Sequence, residues 1–275
     1  MTINCRGHLL DFSTPKVMGV LNLTPDSFYD GGKFKNEKEA LLQVEKNIQD
    51  GMDILDIGSY SSRPGADDIS EAEELNRQSS VLQSITKEFP EVIISIDTFR
   101  SKVAKESLDL GAHIINDISA GKIDPGMLDL IAEYQVPYIM MHMRGTPQTM
   151  KQLTDYDNLV KDVMFYFSER ITEARSKGIN DLLVDPGFGF AKTIEQNFEL
   201  LNHLKVFQHL ELPILTGVSR KSMIYKTLNI TSQKALNGTT ALNMAALMNG
   251  SSILRVHDVL EAKQCVTLFQ KLIEN

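Results

Sequence analysis

The sequence predicts an α/β fold built as a closed TIM (β/α)8 barrel, and three observations lead there. Eight short runs rich in Val, Ile and Leu, each bounded by turn residues, recur along the chain at 17–21, 54–57, 92–96, 113–116, 136–141, 182–184, 213–216 and 253–256. Segments with helical periodicity lie between and after them, at 38–49, 71–87, 100–110, 128–134, 156–176, 194–203, 235–248 and 259–272. The chain is 275 residues long, which one barrel of about 250 residues would fill.

Runs that are apolar on both faces suit strands covered on both sides, as in a parallel sheet, with the helices as crossover connections. Eight of each make closure the economical answer; a doubly wound open sheet is the alternative, because local pattern does not prove closure. In order, the first run ends at Asn22 and leads into a long loop, NLTPDSFYDGGKF, over 22–34. The second carries Asp56, then Ser61, Ser62 and Arg63 within the loop SYSSRPGADDIS, 59–70. The third ends at Asp97, the fourth at Asn116 and Asp117, the fifth at His142 and the sixth at Asp185. Ser219, Arg220 and Lys221 follow the seventh, and Arg255 and His257 end the eighth. The first dozen residues precede the first strand and are expected to plug the barrel bottom. No internal repeat, heptad series or linker divides the chain, so a single domain over 1–275 is expected.

Composition narrows the function. With 42% hydrophobic and 23% charged residues the chain is ordinary globular protein. Its formal net charge of -8 opposes the clustered positive field that nucleic acid or an anionic membrane would need. The two cysteines, Cys5 and Cys265, lie near opposite ends with no zinc spacing and read as free thiols of a reducing cytosol. The N-terminus has no signal-peptide core and no apolar run approaches about 18 residues. A cytoplasmic protein without nucleic-acid or membrane partners is expected.

In a parallel barrel the strand ends converge on the C-terminal face, where active sites are built. Taken singly, an Asp or Asn after a strand is often a helix cap or turn former: Asp97 with Thr98 fits that role, as does Asp117 with Ser119, and His142 or His257 alone would more often be structural. Recurrence at nearly every strand end is what that reading does not predict. Arg63, Arg255, Lys221 and His257, with Asn22 and the hydroxyls of Ser61 and Ser62, have the chemistry of an anion site. Asp97, Asn116 and Asp185 offer acceptors and an amide suited to a planar nitrogen heterocycle. A phosphorylated heterocycle satisfies both groups. The two long glycine-containing loops suit mobile lids, while GFGFAK, 187–192, lacks the third glycine of a dinucleotide fingerprint.

MGVLNLTPDSFYDGG, DIGSYSSRPGA, SIDTFR, INDIS, MHMRGTP, DPGFGFAK, GVSRKS and ILRVHDV resemble, in order and over nearly the whole chain, the signature segments of the dihydropteroate synthase family. The resemblance implies a transferase of folate biosynthesis that joins p-aminobenzoate to 6-hydroxymethyl-7,8-dihydropterin pyrophosphate, is a target of sulfonamides and is commonly a homodimer. It implies Mg²⁺ at Asn22, a pyrophosphate site of Ser62, Arg63, Arg255 and His257, and pterin recognition by Asp97, Asn116, Asp185 and Lys221, lined by Ile118, Met140 and Gly217. Phe28, Pro64, Phe190, Lys221 and Ser222 resemble the surroundings of p-aminobenzoate; Asp97, Arg63, Lys221, Arg255 and His257 are the expected catalytic set. The chain departs from the family at Gly58-Ser59-Tyr60-Ser61-Ser62-Arg63, where the usual pattern is Gly-Gly-Glu-Ser-Thr-Arg. Among rivals, a methyltetrahydrofolate-dependent methyltransferase has no use for the pyrophosphate cluster, a non-catalytic homologue draws support only from Ser59 and Tyr60, and a phosphosugar aldolase would want its lysine inside a strand.

Overall fold

Side chains alternate across a strand, so a run apolar at every position needs cover on both faces, and the computed structural model supplies it with a barrel interior on one side and helices on the other. It describes residues 1–23, 33–61 and 68–274, with the side chains of 33–36 left aside. The chain opens with β1 (Thr2–Cys5) and β2 (His8–Asp11), then runs β3 (Lys16–Asn22), α1 (Lys33–Gln49), β4 (Ile54–Gly58), α2 (Glu71–Glu88), β5 (Ile93–Asp97), α3 (Ser101–Asp109), β6 (Ile114–Asp117), α4 (Met127–Tyr134), β7 (Tyr138–Met141), α5 (Leu159–Ser176), β8 (Leu182–Asp185) and α6 (Ile194–Asn202). It ends β9 (Leu215–Thr216), α7 (Ser222–Tyr225), α8 (Leu236–Met248), β10 (Ile253–Val256) and α9 (Val259–Ile273).

The parallel sheet has the order β8-β7-β6-β5-β4-β3-β10-β9. A parallel bridge between Val184 and Ile214 joins its two ends, with Val184 N donating to Pro213 O at 3.1 Å. The sheet therefore closes, which decides against the open alternative: the fold is a TIM barrel.

One residue from nearly every strand fills the barrel floor: Met18, Ile54, Ile114, Ile139, Leu183, Leu215 and Ile253, with Ile93 packed against them. Ile3, Cys5 and Leu10 join that cluster, so the N-terminal segment does plug the bottom, as an antiparallel hairpin. Arg6 (φ 53) and Gly7 (φ 97) form its two-residue turn, the left-handed backbone such tight hairpins require. Arg6 Nη1 then ties the plug to the barrel by donating to Leu108 O at 2.8 Å and Ala112 O at 3.1 Å.

The alternate strand residues, among them Val17, Leu55, Ile57, Ile94, Ile96, Ile115, Tyr138, Met140, Val184, Leu254 and Val256, pack outward against α1 to α9. Helix starts follow their caps: Ser70 accepts from Glu73 N for α2, Asn158 from Lys161 N for α5, and Thr193 with Gln196 forms a capping box for α6. The Asn158 cap explains why α5 begins at Leu159 and not at Tyr156. Cys5 and Cys265 are buried free thiols, and burial pushes Cys5 up to about 12. Among the described residues no helix is long and apolar enough to cross a membrane.

Candidate active site

The same two-residue period that sets the floor sets the site. Two positions beyond Ile54, Ile93, Ile114, Leu183 and Ile253 come Asp56, Ser95, Asn116, Asp185 and Arg255, and two beyond Ser95 comes Asp97. Strand register places Asp56 opposite Ser95, Gly58 opposite Asp97, and Asp97 opposite Asn116. Glycines leave room at the mouth. A Cβ on Gly58 would lie 3.6 Å from Asn22 Oδ1 and 3.7 Å from Asp97 Oδ2, and one on Gly217 would lie 3.7 Å from Lys221 Nζ and 3.8 Å from Arg255 Cβ.

Arg255 is the hub. Its Nε donates to Asp56 Oδ2 at 2.7 Å, and its Nη2 reaches Asp97 Oδ2 at 2.7 Å and Asp56 Oδ2 at 2.6 Å. Asn116 Nδ2 also donates to Asp56 Oδ2, at 3.4 Å. Burial works against the guanidinium charge, but Asp56 and Asp97 outweigh it. Burial pushes the Asp97 carboxyl up to about 7, with Arg255 pulling it down and the charge of Asp56 adding to the rise. Asp56, named at the end of the second run but given no role there, is the partner that holds Arg255 in place. It is wholly buried, and its Oδ1 and the neighbouring Ser95 Oγ have no hydrogen-bond partner among the described residues. The available signal was a carboxylate inside the apolar run ILDI matched by an arginine inside ILRV.

Asp185 is buried, which raises its carboxyl against the opposing charge of Lys221, and its Oδ1 accepts from Gly187 N at 2.8 Å. Burial lowers Lys221 to about 8, with Asp185 opposing. Lys221 Nζ donates to Phe188 O and lies 5.1 Å from the centre of the Phe190 ring. Arg220, one residue earlier, is not part of this group: at φ 54 it turns away into a two-pronged pair with Asp258 at 2.9 and 2.6 Å. Ser222 begins α7, half-buried beside Lys221. His257 is exposed at the rim, its Nδ1 3.0 Å from Ser219 Oγ.

Ile118 belongs to an apolar cluster with Tyr60, Phe99, Met141 and Met143, against which the half-buried Phe190 packs. Met140 requires a correction. Alternation turns it into the helix-side core, and its neighbour Met141 takes the place on the mouth side. Asp117 follows the bland reading instead: it accepts from Ser119 N and Oγ, Gly121 N and Tyr138 Oη, all at 2.6 to 2.8 Å, so it shapes the turn after β6. Asp97, by contrast, is no cap; α3 starts without a side-chain cap. Phe28, Ser62, Arg63 and Pro64 lie outside the described residues.

Where the family pattern has an acidic residue, Tyr60 is packed edge-on to Phe99 (5.1 Å between ring centres) beneath the Arg100 guanidinium at 5.2 Å, and its hydroxyl accepts from Gln148 Nε2 at 2.9 Å. Ser59 is likewise absorbed into structure, donating to Gln78 Oε1 at 3.0 Å. For a cation, the described residues hold no cluster of three or more His, Cys, Asp and Glu side chains arranged as a cage. Asn22, the expected Mg²⁺ contact, presents an amide oxygen at the mouth, whereas Mg²⁺ usually keeps several waters and is bound through one or two carboxylates plus substrate phosphates.

The family described as pterin binding enzyme matches residues 18–257. The dihydropteroate synthase of Escherichia coli (strain K12) is 43% identical over 272 residues, covering 98% of this chain and 96% of that protein. The Synechocystis dihydropteroate synthase is 44% identical over 246 residues, 88% of this chain and 85% of that one. Among solved structures, the Yersinia pestis dihydropteroate synthase with a sulfonamide drug superposes with TM-score 0.93 at 41% identity, covering 100% of this chain and 99% of its own. The Xanthomonas albilineans dihydropteroate synthase with 4-aminobenzoic acid gives 0.93 at 36% identity, with 100% and 98% covered. The chain belongs to the pterin-binding enzyme family, among its dihydropteroate synthases.

Proposed function

We propose that this chain condenses 6-hydroxymethyl-7,8-dihydropterin pyrophosphate with p-aminobenzoate to give 7,8-dihydropteroate and pyrophosphate. The observation that carries the reading is the convergence of Asp97, Asn116, Asp185, Lys221 and Arg255 on one barrel mouth, where carboxylates and an amide can read a heterocycle and cations can hold its anionic end. The bond that breaks joins the pterin methylene to a pyrophosphate oxygen; the bond that forms joins that carbon to the amine nitrogen, which then loses a proton.

Much of the barrier lies in separating charge, so preorganised electrostatics should dominate. Asp97 stands to stabilise positive charge developing on the pterin, with Asp185 and Asn116 holding the ring. Arg255, with Arg63 and His257 expected at the same end, draws the leaving group. Asn22 is the residue that would contact Mg²⁺, and the bound ion would supply charge to offset that of the departing pyrophosphate. Lys221 and Ser222 lie where the carboxylate of p-aminobenzoate is expected, against Phe190, and sulfonamides should compete there.

The experiment is a coupled assay with both substrates and Mg²⁺, following pyrophosphate and dihydropteroate together. Both products, abolished by chelation and restored by Mg²⁺, would support the reading; pterin binding without product would favour a non-catalytic homologue. We also propose a homodimer in the cytoplasm. Supporting the first are the exposed apolar pair Leu268 and Leu272, one helical turn apart on α9, and the exposed Met248 at the end of α8. Supporting the second are the two buried free thiols, which suit a reducing compartment. Sedimentation of the purified protein tests the oligomer.

A further inference from the structure

The turn from Gly187 to Phe190 joins the Asp185 carboxylate to the aromatic ring at the mouth, and lysines hold its backbone from two directions. Lys221 donates to Phe188 O. Lys192, only 8% exposed, donates to Gly187 O and Phe190 O at 3.0 Å each and has His142 Nδ1 at 3.0 Å. Burial lowers Lys192 to about 7, with Asp185 opposing; in the ammonium form its three N–H donors match these three partners. His142 must then accept through Nδ1, and burial beside Lys192 holds its ring well below its ordinary range, neutral and able to do so.

The seat is rigid. The His142 ring packs edge-on to Tyr166 with centres 4.8 Å apart and has Tyr156 6.1 Å away. At Gly187, φ is +74°, and a Cβ there would stand 2.1 Å from His142 O, so the turn rests directly on the end of β7. Gly189 N donates to Asn197 Oδ1 at 2.6 Å and pins the other side. A side chain needed only to fill this space would be apolar, since burying a charge is costly unless every hydrogen bond is met. Here all three donors are met, and two of them by the turn itself.

We propose that Lys192, anchored by His142, is a positioning residue that fixes the Gly187 to Phe190 turn and so sets the Phe190 ring and the Asp185 carboxylate in place for the two substrates. This rests on the reading of those two residues as walls of the p-aminobenzoate and pterin sites.

Lys192→Met keeps the length of the side chain and removes its donors. The expected result is a KM for p-aminobenzoate raised about 10- to 100-fold with kcat lowered less than about threefold, as misplacement of a binding wall and not of the reacting groups predicts. In the substrate-free protein, amide hydrogen exchange in the turn should accelerate roughly tenfold while exchange in α9 is unchanged. His142→Gln, which retains an acceptor, should stay within about threefold of the parent, and His142→Leu should reproduce Lys192→Met. Parental KM and parental exchange in Lys192→Met would overturn the proposal. So would faster exchange throughout the molecule with kcat and both KM values moving together, the mark of a general loss of stability. The exchange arm needs no catalysis, so parent protein without synthase activity would refute the functional reading while local loosening in Lys192→Met still upheld the fastener.

Discussion

Replacing Arg255 by Met should destabilise the barrel and make that loss depend on pH. The substitution keeps most of the side-chain volume and removes the donors to Asp56 Oδ2 and Asp97 Oδ2, both at 2.7 Å. Asp56 is wholly buried and the Asp97 side chain 17% exposed, so two carboxylates lose their shared cation in a place water barely reaches. Breaking a buried pair by removing one partner costs about 3–5 kcal/mol, which for a chain of this size corresponds to a fall in Tm of roughly 6–20 °C. Asp97 already sits near 7, above its ordinary 3.8. A carboxyl raised in the folded state costs stability at pH above its folded value, and that cost disappears as pH falls toward the unfolded value. Without Arg255 the rise is larger, so the deficit against the parent is greatest well above pH 7 and narrows on acidification. Thermal unfolding by circular dichroism on both sides of that pH measures it. An unchanged Tm at alkaline pH, or a deficit that grows with acid, would refute the charge network described here.

Asp185→Asn should weaken pterin binding about 10- to 100-fold, because an amide turns a donor toward a ring nitrogen that also donates; unchanged affinity by calorimetry would remove Asp185 from that role. Arg255→Ala should cost the pyrophosphate ester far more affinity than the free pterin alcohol, and equal losses would contradict the anion-site assignment. Tyr60→Phe should lose only the Gln148 hydrogen bond, about 0.5–1.5 kcal/mol in urea unfolding, and a much larger loss would mean that the hydroxyl supports the loop in some further way. His113 is held down to about 4, chiefly by burial, and its Nδ1 accepts from Ile94 N at 3.2 Å. Its contribution to stability is present above about 6.5 and lost as pH falls through about 4, so His113→Gln should flatten the acid side of the stability curve; parallel curves for parent and variant would exclude His113 as the cause.

The strands were legible because a doubly covered strand is apolar at most of its positions, and hydrophobic runs report that directly. What they do not report is which residue of a run faces inward. Met140 and Met141 are chemically alike, so only the register of β7, fixed by its neighbours, separates the helix-side residue from the one at the mouth. The hairpin of β1 and β2 escaped as strands because each is four residues long and its exposed face interrupts the apolar pattern. Asp56 was visible as a carboxylate near a strand end, but its partner Arg255 is 199 positions away, a pairing that only closure of the barrel brings about. The contact between Lys192 and His142 was illegible for the same reason: the two are 50 positions apart until the turn after β8 is folded onto the end of β7.

The placing of charge along the barrel axis also bears on how the substrate must enter. Asp56 lies two positions beyond the floor residue Ile54 on β4, while Asp97 lies four beyond Ile93 on β5, nearer the mouth. Asp56 is an anion already paired with Arg255, so an anionic ligand end pushed toward it would meet repulsion. A heterocycle carrying N–H donors faces the reverse situation, since Asp97 and Asp185 can each accept. Cationic groups suited to the pyrophosphate lie instead toward the rim, where His257 is exposed beside Ser219. The pterin should therefore enter first and sit deep, with its pyrophosphate outward, leaving the amine to approach from the side of Phe190 and Lys221. Binding of p-aminobenzoate should accordingly depend on prior occupancy of the pterin site, and titration of p-aminobenzoate into ligand-free protein with full affinity would contradict that order.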